Sequence, residues 1–99
     1  MTNEIPIMHP GAVLKMEFLD EYNITAYKLA KDIDVPTNRI TGILKGDRAI
    51  TTDTALRLGK YFNTSAEVWT SLQADYEMRL ARADKDIMDG LDKIHPVAA

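Results

Sequence analysis

The chain has 99 residues, which is enough for one domain with one hydrophobic core. Apolar residues make up 45% of it, so we expect the chain to fold rather than to stay disordered. It contains no cysteine, which excludes a disulfide framework and a thiolate metal site. No apolar run approaches the ~20 residues of a membrane span, and the first residues lack the layout of a signal peptide. We therefore expect a cytoplasmic protein without a membrane partner.

The formal charge of −3 hides an uneven distribution. Residues 27–48 carry five basic against three acidic side chains, a local net charge of +2. The remainder carries seven basic against twelve acidic side chains, a net charge of −5. Because the footprint of a nucleic acid is a local property of a surface, this basic stretch keeps DNA binding open despite the acidic total.

The spacing of apolar residues predicts helices throughout the chain and no strand. The apolar residues within residues 1–8 show no regular spacing, and this segment is interpreted as an extended or disordered lead. Pro10 then suits the first turn of a helix over about residues 10–21, because its missing N–H costs nothing there. Thr25 is placed to cap the second helix with its hydroxyl. Asp34 stands where the chain must turn, since Asp tolerates a left-handed backbone better than most residues.

The third helix is expected to end at Gly46, a residue suited to a left-handed C-cap. A threonine at position 51 or 52 caps the fourth helix, and Ser65 caps the fifth, which continues to about Ala83. Residues 84–99 predict a weaker amphipathic helix. The expected fold class is therefore all-α, with five helices and a C-terminal helical extension in a single domain over residues 1–99.

The most informative stretch is AYKLAKDIDVPTNRITGILK, residues 26–45. A helix-turn-helix packs two short helices at a steep angle, and it needs a small residue at the crossing and a tight turn. Ala30 sits at the crossing and Asp34 at the turn, where this motif commonly has Gly. The apolar anchors that the motif requires are Leu29, Ile33, Val35, Ile40 and Ile43. The stretch therefore predicts a helix-turn-helix.

The outward face of the third helix consists of hydrogen-bonding side chains. The candidates for contact with base edges in a major groove are Thr37, Asn38, Arg39, Thr41 and Lys45. Asn pairs with adenine and Arg with guanine in bidentate fashion, and Thr packs against a thymine methyl. Tyr27 and Lys28 on the second helix, and Arg48 after the third, are candidates for phosphate contacts. The alternative, that this polar face is only solvated, remains open.

No constellation in the sequence predicts catalysis. His9 and His95 are far apart and are interpreted as surface or capping residues. The acidic residues within 84–92 lack the spacing and the central Gly of a calcium loop. The chain also has no Gly-rich phosphate loop and no nucleophile–base pair. We therefore expect neither an enzyme nor a metal or other cofactor.

The fifth helix carries an apolar stripe along nearly its whole length, which predicts a homodimer. The candidate interface residues are Trp69, Leu72, Tyr76, Leu80 and Ala83. An isologous two-fold contact would bury such a stripe, and residues 65–99 are the expected dimerisation region. For Trp69 and Leu72 the alternative is that they complete the core of the monomer, so Tyr76 and Leu80 are the stronger candidates.

A set of motifs extends over about residues 8–83. They are His9-Pro10-Gly11 followed by Leu14 and Phe18-Leu19, the helix-turn-helix, Arg48-Ala49-Ile50-Thr51, Thr54-Ala55-Leu56-Arg57-Leu58, Tyr61-Phe62 and Trp69-x-x-Leu72-Gln73-x-x-Tyr76. Together these motifs resemble the HigA-type, or VapI-type, antitoxins of bacterial toxin–antitoxin pairs. The resemblance implies a phage-repressor-like helix-turn-helix domain and a homodimer on a palindromic operator of double-stranded DNA in its own promoter. It also implies a partner, a HigB-type ribonuclease toxin, that the protein neutralises.

The leading hypothesis is thus an antitoxin that represses its own operon. A stand-alone phage-type repressor without a toxin is the first alternative, and a protein-interaction module that has lost DNA binding is the second. The basic and polar face of the third helix disfavours the latter. The acidic surface outside the basic stretch is expected to attract a basic toxin, and its acidic residues include Glu4, Glu17, Asp20 and Glu21. The lead at residues 1–8 is expected to become ordered when it contacts the toxin.

Overall fold

The computed structural model describes residues 7–98, so that most of the expected lead lies outside the described residues. This part of the chain contains six helices and no strand. They are α1 (residues 10–22), α2 (Ala26–Asp32), α3 (Thr37–Lys45), α4 (Thr52–Phe62), α5 (Ala66–Ala83) and α6 (Lys85–Leu91). The prediction of an all-α fold with five helices and a helical extension is confirmed. Within the same residues, no helix is long and apolar enough to cross a membrane.

Helix α1 is continuous but has two hydrogen-bonding patterns. It is α-helical at Pro10–Val13 and Asp20–Tyr22, and π-helical at Leu14–Leu19 between them. A π-helix bonds residues five apart rather than four apart. Leu14 and Leu19 are both buried as a result of this wider turn. The sequence predicted the helix but not its π-helical segment.

Local side-chain chemistry sets the ends of the other helices much as predicted. Oxygens of Thr25, Thr51 and Ser65 accept hydrogen bonds from backbone N–H groups in the first turns of α2, α4 and α5. The residues with left-handed backbones at helix ends or turns are Asn23, Asp34, Gly46 and Asn63. The φ angle of Asp34 is 60°, so the turn of the helix-turn-helix forms with Asp where Gly is common.

The hydrophobic core lies between helices α1 to α5. Its fully buried apolar side chains include Leu14, Leu29, Ile40, Ile43, Leu58 and Trp69. The ring of Phe18 packs at a centroid distance of 4.8 Å from both Phe62 and Trp69. The indole Nε1–H of Trp69 donates to the hydroxyl of Thr64 at 3.0 Å, which satisfies its one polar group inside the protein.

The burial of Trp69 corrects one expectation from the sequence. Its side chain is 0% exposed within a single chain, so it has no surface to offer a second copy. Trp69 completes the core of the protomer instead of lying in a dimer interface. Leu72, one turn further along α5, is half-buried and also packs against this core.

The helices that flank α3 fix its position. Helix α2 packs on α3 to form the helix-turn-helix, and α1 packs across the end of α3. A Cβ atom at Gly11 would lie 1.8 Å from the carbonyl oxygen of Ile43, so only Gly allows this approach of α1. Helix α4 packs on α5, which leads into α6. We call residues 74–91 the C-terminal arm, because nearly all of their side chains are exposed.

Candidate nucleic-acid interface

The turn between α2 and α3 is held both by its own backbone and by a third helix. The N–H of Val35 donates to the carbonyl of Ala30 at 3.0 Å, and Ala30 is buried where the helices cross. From α4, Nη1 of Arg57 donates to the carbonyl of Ile33 at 2.8 Å. A charged donor on a backbone carbonyl makes one of the stronger hydrogen bonds in proteins. The position at which α3 begins is thus fixed by α4 as well as by the turn.

The polar side chains of α3 that are candidates for base contacts differ in their exposure to solvent. Thr37 and Asn38 in its first turn are exposed, as is Lys45 in its last turn. Arg39 and Thr41 are half-buried, and the hydroxyl of Thr41 donates to the carbonyl of Asn38 at 3.4 Å. The first turn of α3 therefore presents two adjacent exposed polar side chains.

Arg39 forms an ion pair that reaches from α3 to the start of α4. Its Nη1 donates to Oδ2 of Asp53 at 2.9 Å. The same carboxylate accepts from Nε of Arg57 at 3.1 Å. This cluster was not predicted from the sequence, although an acid four residues before a base, as in Asp53 and Arg57, is a helix-pair signal. Its link to Arg39 depends on tertiary packing.

Arg39 and Arg48 meet along one groove. This groove has a volume of about 450 Å³ and is also lined by Thr51 and Asp53 at the start of α4. Arg48 lies over α3, because a Cβ atom at Gly42 would be 3.0 Å from its Cδ. The structure thus brings together a proposed base-contacting residue and a proposed phosphate-contacting residue.

The start of α2 carries the other two phosphate candidates. Tyr27 is 66% exposed, and Nζ of Lys28 donates to Oδ2 of Asp32 at 2.7 Å. The hydroxyl of Tyr61 donates to the same oxygen at 2.6 Å. Hydrogen bonds from Lys28 and then Tyr61 lower the pKa of Asp32, and the bond to Asp32 raises the pKa of both donors. In the free protein, Lys28 is therefore already paired with an acid.

Two residues of the family-like motifs have structural roles. Oε1 of Gln73 accepts from the backbone N–H of Ile50 at 2.9 Å, which ties α5 to the connection between α3 and α4. His9 packs over Gly46 and has its ring 6.3 Å from that of Tyr76, edge to face. His9 takes the N-cap position of α1 but makes no capping hydrogen bond with its side chain. His9 thus stands at a cap position, as one of the two interpretations predicted, but does not act as a side-chain cap.

These elements define a helix-turn-helix domain whose second helix, α3, is held by the close approach of α1 and by the hydrogen bond from α4 to the turn. The chain belongs to the helix-turn-helix family HTH_3, whose model matches residues 15–69. The more specific resemblance to HigA-type and VapI-type proteins is confirmed as well.

Three similar proteins support this assignment. Virulence-associated protein I of Dichelobacter nodosus is 42% identical over 83 residues, which are 84% of this chain and 77% of the relative. The antitoxin HigA of Pseudomonas aeruginosa, solved with the higBA promoter, is 36% identical with a TM-score of 0.86, over 93% of this chain and 99% of that one. An addiction module antidote protein of the HigA family from Coxiella burnetii is 40% identical with a TM-score of 0.84, over 93% and 99%.

Proposed function

We propose that this protein is a sequence-specific DNA-binding antitoxin, which represses its own operon as a homodimer on a palindromic operator and neutralises a HigB-type ribonuclease toxin. The observation that carries the DNA-binding part is the exposed polar first turn of α3, held in place by the turn and by α4. The similar HigA of Pseudomonas aeruginosa was solved with the higBA promoter, which supports DNA as the ligand of this face.

Within this proposal, α3 reads bases and its flanks bind phosphates. Asn38 and Arg39 supply the donors and acceptors that distinguish base pairs in a major groove. The neighbouring polar candidates on α3 are Thr37, Thr41 and Lys45. Tyr27, Lys28 and Arg48 anchor the duplex through its phosphates. Lys28 then exchanges the carboxylate of Asp32 for a phosphate on binding.

The C-terminal arm is the proposed dimer interface. Its large apolar side chains that are 40 to 50% exposed are Met78, Leu80, Ile87, Met88 and Leu91. Tyr76 is half-buried beside His9, and Leu72 contributes only the surface that the core leaves free. A two-fold contact through the arm would bury these side chains and would place two α3 helices about one DNA turn, roughly 34 Å, apart.

The proposed toxin contact rests on charge and on similarity to antitoxins. Glu17, Asp20 and Glu21 are exposed on α1, while Glu4 lies outside the described residues. Asp20 is paired with Lys15 at 3.1 Å, whereas no such bond is seen for Glu17 or Glu21 among residues 7–98. A ribonuclease needs a basic surface to bind RNA phosphates, and an acidic face of an antitoxin would attract that surface.

Mobility-shift titration of the protein's own promoter region and of a random duplex, at two salt concentrations, tests DNA binding. We expect preference for the promoter and a fall in log affinity with log salt of about 0.9 per neutralised phosphate. Equal affinity for the two duplexes would contradict the proposal. For the toxin, we expect the product of the neighbouring gene to co-purify with this protein and to lose its toxicity on co-expression. If neither occurs while promoter binding holds, the protein is a stand-alone repressor.

A further inference from the structure

Asp53 lies between two arginines at the start of α4. It accepts from Nη1 of Arg39 at 2.9 Å through Oδ2, and from Nε of Arg57 at 3.3 and 3.1 Å through Oδ1 and Oδ2. Nη1 of Arg57 in turn donates to the carbonyl of Ile33 at 2.8 Å and to that of Asp34 at 3.4 Å. A continuous path of charge-assisted hydrogen bonds thus runs from the turn of the helix-turn-helix to a side chain on α3.

The bond to Asp53 leaves most of the Arg39 guanidinium available. Guanidinium carries five N–H donors in a rigid planar fork, and Asp53 engages one of its nitrogens. Across residues 7–98, this is the hydrogen bond that the Arg39 side chain makes. The donors on Nη2 and Nε remain for O6 and N7 of a guanine, which Arg contacts in bidentate fashion. The side chain is 33% exposed, so part of it reaches solvent.

The charge of Asp53 gives two opposite expectations for its role. A carboxylate next to a DNA-binding face repels phosphates, so it weakens binding to every duplex unless it has another effect. An arginine held in one orientation loses less conformational entropy when it contacts a base, so the same carboxylate strengthens binding to the correct sequence. The two effects differ in sign on the preferred duplex, and a measurement therefore separates them.

We propose that Asp53 is a specificity-determining positioning residue, which holds the Arg39 guanidinium in the orientation that reads guanine without itself contacting DNA. This inference rests on the proposed DNA-binding function. Arg57 completes this hydrogen-bond network, because it bonds both to Asp53 and to the turn that sets the position of α3. The same set of hydrogen bonds therefore positions both α3 and the side chain of Arg39.

The test compares wild type with Asp53→Asn on two duplexes. One duplex is the preferred site, obtained by selection with the wild-type protein from a random library, and the other is a scrambled duplex of the same composition. We expect the variant to bind the scrambled duplex as tightly as wild type or more tightly, because a negative charge is gone. We expect its selectivity for the preferred duplex to fall roughly tenfold, with the loss concentrated at one guanine.

Two controls separate positioning from general effects. Glu67→Gln removes an exposed carboxylate from the first turn of α5, as Asp53→Asn does from the first turn of α4, and it should leave selectivity unchanged. In an Arg39→Ala background, Asp53→Asn should cost no further selectivity, since the residue it positions is absent. Circular dichroism establishes that each variant is folded at the temperature of the binding measurements.

Three results overturn the proposal. Asp53→Asn tightens binding to both duplexes with selectivity retained, or it lowers selectivity equally in the Arg39→Ala background, or its selectivity loss falls on a different base pair from that of Arg39→Ala. A wild-type protein that enriches no sequence from the library instead overturns the proposed function itself. The failure of the positioning role and the failure of DNA recognition are therefore distinguishable.

Discussion

The helix-turn-helix face and the C-terminal arm differ in how many large apolar side chains they expose. On the first, the projecting side chains are polar, and two of them are held by the ion pairs Arg39–Asp53 and Lys28–Asp32. On the arm, large apolar side chains such as Leu80 and Leu91 are 45 and 50% exposed. A polar face is readily solvated, whereas several exposed large apolar side chains on one region mark a candidate interaction surface. This difference supports the proposal that the first region binds DNA reversibly and that the second is a dimer interface.

The largest expected effect is that of removing Trp69, which tests whether this part of α5 belongs to the core of the protomer or to the dimer interface. Trp69→Ala deletes a fully buried ring, and we expect a loss of about 3–5 kcal/mol in the free energy of unfolding. Denaturant unfolding at several protein concentrations is the measurement. The loss should be the same at each concentration, because Trp69 stabilises the protomer rather than the dimer. If the loss of stability disappeared at low protein concentration, Trp69 would stabilise the dimer interface instead.

A charged residue on the C-terminal arm should prevent the protein from forming a dimer. In a two-fold contact Leu80→Glu buries two charges, so we expect a monomer of about half the wild-type mass in sedimentation, and operator affinity lowered by about 100-fold. Leu56→Glu is the matched control, since Leu56 is 59% exposed but lies on α4, outside the arm. A Leu80→Glu variant that remains dimeric would show that the arm is not the interface.

Alanine substitutions within the helix-turn-helix should divide its face into base-reading and anchoring positions. Asn38→Ala or Arg39→Ala should cost roughly 1–3 kcal/mol, mostly on the preferred site. Lys28→Ala should weaken all duplexes about alike and lower the salt slope by about 1. Affinities for preferred and random duplexes at two salt concentrations measure both effects. Proportional losses on the two duplexes for Arg39→Ala and Lys28→Ala would remove the distinction.

The smallest expected effect is the pH dependence of the ion pair at Asp32. Hydrogen bonds from Lys28 and Tyr61 lower the pKa of this carboxyl in the folded protein. Because the folded pKa lies below the unfolded one, the pair stabilises the fold above the unfolded value of about 4. That contribution is lost as the pH falls through the folded pKa. Unfolding of wild type and Asp32→Asn from pH 7 downward should show a stability difference that shrinks with acid, and a constant difference would contradict it.

Local chemistry explains why the helix boundaries could be predicted from the sequence. The hydroxyls of Thr25 and Ser65 cap helices by contacts within three residues, and the left-handed turn at Asp34 depends on one residue type. The outward face of α3 followed from the same local pattern, since apolar anchors at helical spacing leave the polar positions on the other side.

Contacts between distant residues could not be predicted in this way. Arg39 and Asp53 are 14 residues apart, and Asp32 and Tyr61 are 29 apart, so that only the packing of α2 and α3 on α4 brings them together. The apolar stripe of α5 posed a related difficulty. Periodicity shows that Trp69 and Leu80 share a face of the helix, but it does not show whether a residue on that face meets its own core or a second chain.

The π-helical turn of α1 acts as an absorbed one-residue insertion. In an ordinary α-helix two residues five apart differ by about 140° in direction, whereas two residues four apart differ by about 40°. Leu14 and Leu19 are five apart and both buried, as a leucine pair four apart would be in a regular helix. The extra residue is accommodated among the exposed Lys15, Met16 and Glu17. The extra residue therefore leaves Leu14 and Leu19 on the same buried side of the helix, so that both flanking segments face the core.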